Sequence, residues 1–177
     1  MVTSYQIFAQ SIAILALGVF ALSFQAKLRS RILLIQALGL ASLAIHYFLL
    51  SAWSGFTLTM INSIITALFI FKERIEIYGK SIFLYVSILI MVTATVFSWE
   101  SFYSVFALIG VSAAIVSKWQ DSPQSIRIIA LFSSIFWIIY NYFAGSYGGI
   151  VAETIILASI FISLLWNGAI KSRQIIS

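Results

Sequence analysis

Gln25-Ala26-Lys27-Leu28-Arg29-Ser30-Arg31, followed by ILLIQALGLASLAIHYFLLS (residues 32–51), sets three basic side chains against a run free of Lys, Arg, Asp and Glu. A run of about 20 apolar residues is what an α-helix needs to cross a hydrocarbon core about 30 Å thick. The pattern repeats along the chain. Working outward from this stretch, spans are predicted at 5–24, 32–51, 55–71, 82–99, 102–118, 127–145 and 149–168. The third and fifth runs are short, so a six-span chain with one interfacial segment is the alternative count.

The basic residues test the count. Lys27, Arg29 and Arg31 occupy the first break, Lys72, Arg74 and Lys80 the third, Lys118 and Arg127 the fifth, and Lys171 and Arg173 the tail. The amino-terminal tail and the second, fourth and sixth breaks hold none. Lys and Arg near span ends stay on the cytoplasmic side, which puts the amino terminus outside and the carboxyl terminus in the cytoplasm. Losing or adding one span would break that alternation. The start of the chain has no basic n-region and no small-residue cleavage site, so the first run is read as a retained span.

Composition agrees. The 177 residues are 62% hydrophobic and 8% charged, against about a quarter charged in ordinary soluble domains. Mean hydropathy is +1.09. Such a chain cannot wet a surface around a core, which excludes soluble enzymes and nucleic-acid binders. The net charge of +5 is accounted for by the cytoplasmic loops. Absence of Cys removes disulfides and thiolate chemistry.

Shifting the chain by about 95 residues superposes Gln25 on Gln120, Ser30 on Ser125, Tyr47 on Tyr142, Phe48 on Phe143 and Ser51 on Ser146, and puts His46 on Asn141. After one deletion Gly55 falls on Gly149 and Thr59 on Glu153. Three spans reverse the chain direction and a fourth restores it. The expectation is therefore an all-α membrane protein of seven transmembrane helices, a single membrane domain over 1–177. Two parallel three-helix bundles, 5–71 and 102–168, are joined by a linker helix at 82–99. Membrane repeats of this kind often enclose a solute path near the midplane; duplication without such a path is the plainer reading.

Polar residues at membrane depth are the candidate site. Glu153 lies four residues past Gly149, and an acid inside a span is costly unless it faces the interior and finds a partner or a proton. His46 and Asn141 sit at similar depth on the second and sixth spans, and the three are expected to form an outer polar layer in which Glu153 meets Asn141 or a protonated His46. A satisfied interfacial histidine and a structurally paired acid are the alternatives. Asn62, about 12 Å into the third span, needs either a neighbouring helix or a solute. Trp137 is mid-span and would pack in the core or wall a path, whereas Trp53, Trp99, Trp119 and Trp166 read as interfacial anchors. Gln36, Gln25 and Gln120 near the inner ends are expected to form an inner polar ring. One His, no Cys and a single acid within a span leave no catalytic pair, metal site or cofactor site.

The run His46-Tyr47-Phe48-Leu49-Leu50 with downstream Asn62, and Trp137, Asn141, Ala144-Gly145-Ser146, Gly148-Gly149 and Glu153, resemble the YgjV family of bacterial inner-membrane proteins. The resemblance implies residence in that membrane and specifies no substrate. More distantly, the span order is similar to that of the SWEET sugar transporters, the PnuC vitamin-precursor transporters and other PQ-loop proteins, which implies the two-bundle architecture. The single Pro-Gln pair, Pro123-Gln124, falls in a predicted loop, and Leu28 stands where the first copy would carry proline. Gating by a kinked PQ helix is therefore not implied.

The functional expectation is a facilitative or proton-linked carrier for a small polar solute, with lipid as its surroundings. The competing expectation is a membrane protein that does not transport: an assembly partner, sensor or receptor. Small-residue faces permit a homodimer.

Overall fold

A computed structural model describes the backbone of residues 4–72 and 82–176, with side chains for 7–72 and 82–165. It contains helices only: α1 (Ser4–Ser23), α2 (Arg29–Leu49), α3 (Trp53–Phe69), α4 (Ile82–Phe97), α5 (Ser104–Trp119), α6 (Pro123–Phe143) and α7 (Tyr147–Ile176). Each predicted span corresponds to one helix. By length and composition, α2, α6 and the Tyr147–Leu165 part of α7 are long and apolar enough to cross a membrane, and the other four are shorter apolar helices. Arg74 and Lys80, and the side chains of Trp166, Lys171 and Arg173, lie outside the described residues.

α2, α3, α6 and α7 start two to four residues earlier than hydropathy places them, α4 starts where it is placed and α5 two residues later; at α6 the first turn is set by a cap. Pro123 opens α6 after Ser122, whose hydroxyl accepts the Ser125 N–H at 3.0 Å. Proline suits that position because the missing N–H has no partner in a first turn anyway. The Pro-Gln pair therefore begins a helix and does not lie in a loop.

α1, α2, α3, α5, α6 and α7 pack in that order into a closed ring, with α7 returning to α1. α4 stands outside, against α3 and α5. Among its described residues only Ser87, Met91 and Thr95 are buried, and Ile82, Leu89, Val96 and Phe97 face outward. A helix so apolar on its exposed side is solvated by lipid. Inside the ring lie Leu17, Tyr47, Leu58, Val111, Ile115, Tyr140 and Ile156.

The α2–α3 and α6–α7 connections close alike. Ala52 N–H reaches Tyr47 O at 3.0 Å and Ser146 N–H reaches Asn141 O at 2.9 Å, while a left-handed residue, Ser51 at φ 56° or Gly145 at φ 68°, turns the chain. This is the Schellman closure of a helix end. Tyr47 and Asn141 are 94 residues apart, and so are the first and last residues of α2 and α6. The register is thus 94 throughout this region, which puts Tyr47, not His46, opposite Asn141 and keeps Gly55 with Gly149 and Thr59 with Glu153. At the 94-residue spacing of these helix ends the deletion placed after Ser51 is not needed, and the matches made at 95, the Tyr-Phe pair among them, fall one position out of phase.

At the end of the ring carrying the basic residues, two arginines close helix termini. Arg29, opening α2, donates to the backbone oxygens of Phe69 at 3.0 Å, Lys118 at 2.9 Å and Gln120 at 2.9 Å, at the ends of α3 and α5. Arg127, the fifth residue of α6, donates to Phe24 O and Ala26 O, both at 3.0 Å, past the end of α1. Unpaired C-terminal carbonyls carry partial negative charge, and a guanidinium satisfies several at once.

Candidate functional site

Within the ring is a cavity of about 40 Å³, room for about three waters. Every ring helix contributes to it. Its walls include Gln36 and Leu43 of α2, Thr59 and Asn62 of α3, Ser117 and Lys118 of α5, Ser133, Ser134 and Trp137 of α6, and Glu153 of α7. Gln36 with Ala130, Leu40 with Ser134, Leu43 with Trp137, and Thr59 with Glu153 all line it, each pair at the 94-residue spacing.

The polar groups form two clusters. Lys118 is buried and donates from Nζ to Asn62 Oδ1 at 2.9 Å. The Asn62 side chain also lies 3.4 Å from Thr66 Oγ1, whose hydroxyl donates to Asn62 O at 2.6 Å. Glu153, also buried, has the Ser134 side chain beside it. The one ion pair among the described residues is Lys72 with Asp121 at 2.7 Å, so Lys118 and Glu153 do not pair directly. Gln36 Oε1 and Thr59 Oγ1 are buried at the cavity wall with no protein partner. Leaving such atoms unpaired costs roughly 1–3 kcal/mol each, which favours a polar occupant.

At the end away from the arginines, aromatic rings cover the cavity. Trp137 stacks on Tyr47 at 6.0 Å between centroids and meets Tyr140 edge-on at 5.6 Å. Tyr140 OH accepts the Gly55 N–H at 2.8 Å and lies 3.2 Å from Ser54 Oγ, which donates to Glu100 Oε2 at 2.5 Å. Glu100 Oε1 accepts the Trp53 N–H at 2.6 Å and so caps α3. On α7 the corresponding cap is Gln10, whose Oε1 accepts the Gly148 N–H at 2.7 Å.

His46 is a structural histidine. Its Nδ1 donates to Ala9 O at 2.7 Å, which leaves Nε2 as acceptor for the Ser146 hydroxyl at 2.7 Å. Ser146 Oγ in turn accepts the Gly149 N–H at 3.2 Å. With both ring nitrogens used, His46 does not meet Glu153. Asn141 does not either: its Oδ1 accepts the Tyr47 hydroxyl at 2.7 Å. The expected outer layer therefore divides, with His46 and Asn141 binding the α6–α7 turn to α1 and α2 while Glu153 joins Asn62 and Trp137 around the cavity.

The inner glutamine ring does not assemble. Gln25 donates to Ser159 O at 3.0 Å, and Gln120 folds back on Val116 O at 2.9 Å. Gln36 alone points into the ring. Lys118 is the functional candidate that charge placement conceals: read as a loop marker, it sits on the buried stripe of Ala107, Val111 and Ile115, whose helical spacing continues to position 118. Among the described residues no group of three or more His, Cys, Asp or Glu is placed to hold a metal ion.

An apolar exterior around a ring of helices with charged groups inside defines a polytopic helical membrane protein. A family model for bacterial inner membrane proteins, Imp-YgjV, matches residues 7–167. The chain belongs to that family and is an inner-membrane protein. No curated protein and no solved structure matches it.

Proposed function

We propose that this protein is a carrier for a small polar solute, facilitative or proton-linked, built as two parallel three-helix halves, α1–α3 and α5–α7, with α4 as linker. The amino terminus lies outside and the arginine-capped end faces the cytoplasm, as the positive-inside rule directs. The carrying observation is the cavity between the halves: eight of its wall positions form four pairs 94 residues apart, and buried Lys118, Glu153 and Asn62 line it. The reciprocal caps support the same reading, because Arg29 of one half closes α5 of the other and Arg127 closes α1. Ionisable groups kept at that depth are expensive, and a solute path is the commonest reason to keep them.

In the described form the Trp137–Tyr47–Tyr140 cluster covers the outer side, so the cavity communicates outward only when the halves move. Glu153 would coordinate solute or carry a proton, Asn62 would hold Lys118 in place, and Trp137 would supply the wall. Reconstituted in proteoliposomes, the protein is expected to take up at least one member of a small-metabolite panel, and Glu153→Gln to abolish that uptake with the protein still folded. Unchanged uptake in the variant removes Glu153 from the mechanism.

A second reading, a non-transporting assembly partner or receptor, is favoured by the complete satisfaction of His46 and by the neighbours that Lys118 and Glu153 already have. Absence of uptake across the whole panel would select it.

A further inference from the structure

Resting on the carrier reading, we propose that the cavity accepts a small zwitterion, its carboxylate at Lys118 and its ammonium at Glu153. The two poles stand on different helices. Counted from the helix starts at about 1.5 Å per residue, Lys118 lies about 21 Å along α5 and Glu153 about 9 Å along α7. Side chains lean towards the amino-terminal end of their own helix, so the long lysine stem brings its ammonium back to Asn62, about 14 Å along α3, which receives it at 2.9 Å. Both poles line a space for about three waters, close to the size of glycine.

Each pole has capacity left. The Lys118 ammonium has three donors and spends one on Asn62, and Glu153 is a two-oxygen acceptor with one hydroxyl beside it. Gln36 Oε1 offers a further acceptor to an ammonium, and Thr59 Oγ1 either role. A simple anion would satisfy Lys118 and be repelled by Glu153; a simple cation would meet the reverse. A neutral solute would leave Lys118 and Glu153 without an opposite charge unless each gave up its own by proton transfer. A zwitterion alone matches both, and it crosses the membrane without moving net charge.

The test uses the full chain in nanodiscs, with calorimetric titration of glycine, acetate, methylammonium and urea, alongside proteoliposome uptake of the same four. Glycine is expected to bind at least about tenfold more tightly than acetate or methylammonium. Glu153→Gln should erase the preference over acetate, and Lys118→Met the preference over methylammonium. Acetate, methylammonium or urea matching or exceeding glycine on the wild-type chain overturns the zwitterion class, even where a variant fails to fold. Uptake of urea without glycine does so while leaving the carrier reading intact. No binding of any of the four overturns the zwitterion proposal, and no uptake across the wider panel overturns the carrier reading as well.

Discussion

A single methyl group reports on the closure above the cavity. A Cβ at Gly55 would sit 2.7 Å from Tyr140 Oη and 2.9 Å from the Tyr47 ring, inside contact distance of the two rings that pack on Trp137. Both rings are fully buried and neither has space to retreat. Gly55→Ala is expected to cost roughly 1–3 kcal/mol, read as a lowered melting temperature of the detergent-solubilised protein. An unchanged melting temperature would mean that the rings move freely. Residue by residue, the sequence told most where chemistry contradicted its surroundings. Glu153 and Asn62 stand out because acids and amides are rare within spans, and the structure brings both to the cavity. Their partners were less legible. Lys118 resembled a loop cation because it closes an apolar run, and only the burial of its helix face distinguishes it. Gln25 and Gln120, equally polar, turn to neighbouring backbone.

Among elements, the reciprocal arginine caps carry the strongest expectation. Arg127 is buried and gives two charge-assisted bonds to carbonyls past the end of α1. Ser163 also donates to Phe24 O, so one of those acceptors keeps a partner when the arginine is removed. Arg127→Ala should therefore destabilise by roughly 2–4 kcal/mol, measured as loss of melting temperature. Arg127→Lys should recover only part of it, because a point charge cannot fork to two oxygens. Equal stability of the alanine and wild-type proteins would mean the caps are idle. Hydropathy located every helix, with most ends within a few residues, though α7 continues to Ile176, eight residues past its expected end. The largest error at a start, four residues, is at α6, where a Ser-Pro cap and not apolarity decides where the helix begins.

At the level of the whole molecule, the ring order and the position of α4 outside it were not legible in one sequence, because every helix is apolar and lipid rewards exposed Leu and Ile as well as protein does. Orientation is accessible to experiment with little interference, since the chain has no Cys. Ser101→Cys, between α4 and α5, is expected to react with a membrane-impermeant maleimide in spheroplasts. Lys27→Cys, between α1 and α2, should react only after the membrane is opened. The opposite labelling pattern would invert the assigned topology.

The wall pairs that face the cavity are unlike: glutamine opposite alanine, leucine opposite serine, leucine opposite tryptophan, threonine opposite glutamate. Positions that match at a spacing of 94 thus surround a space whose chemistry does not match. An occupant with distinguishable ends can sit there in one pose only, since reversing it would set charge against like charge. On the carrier proposal, a guest held in one pose would make the passage without turning round.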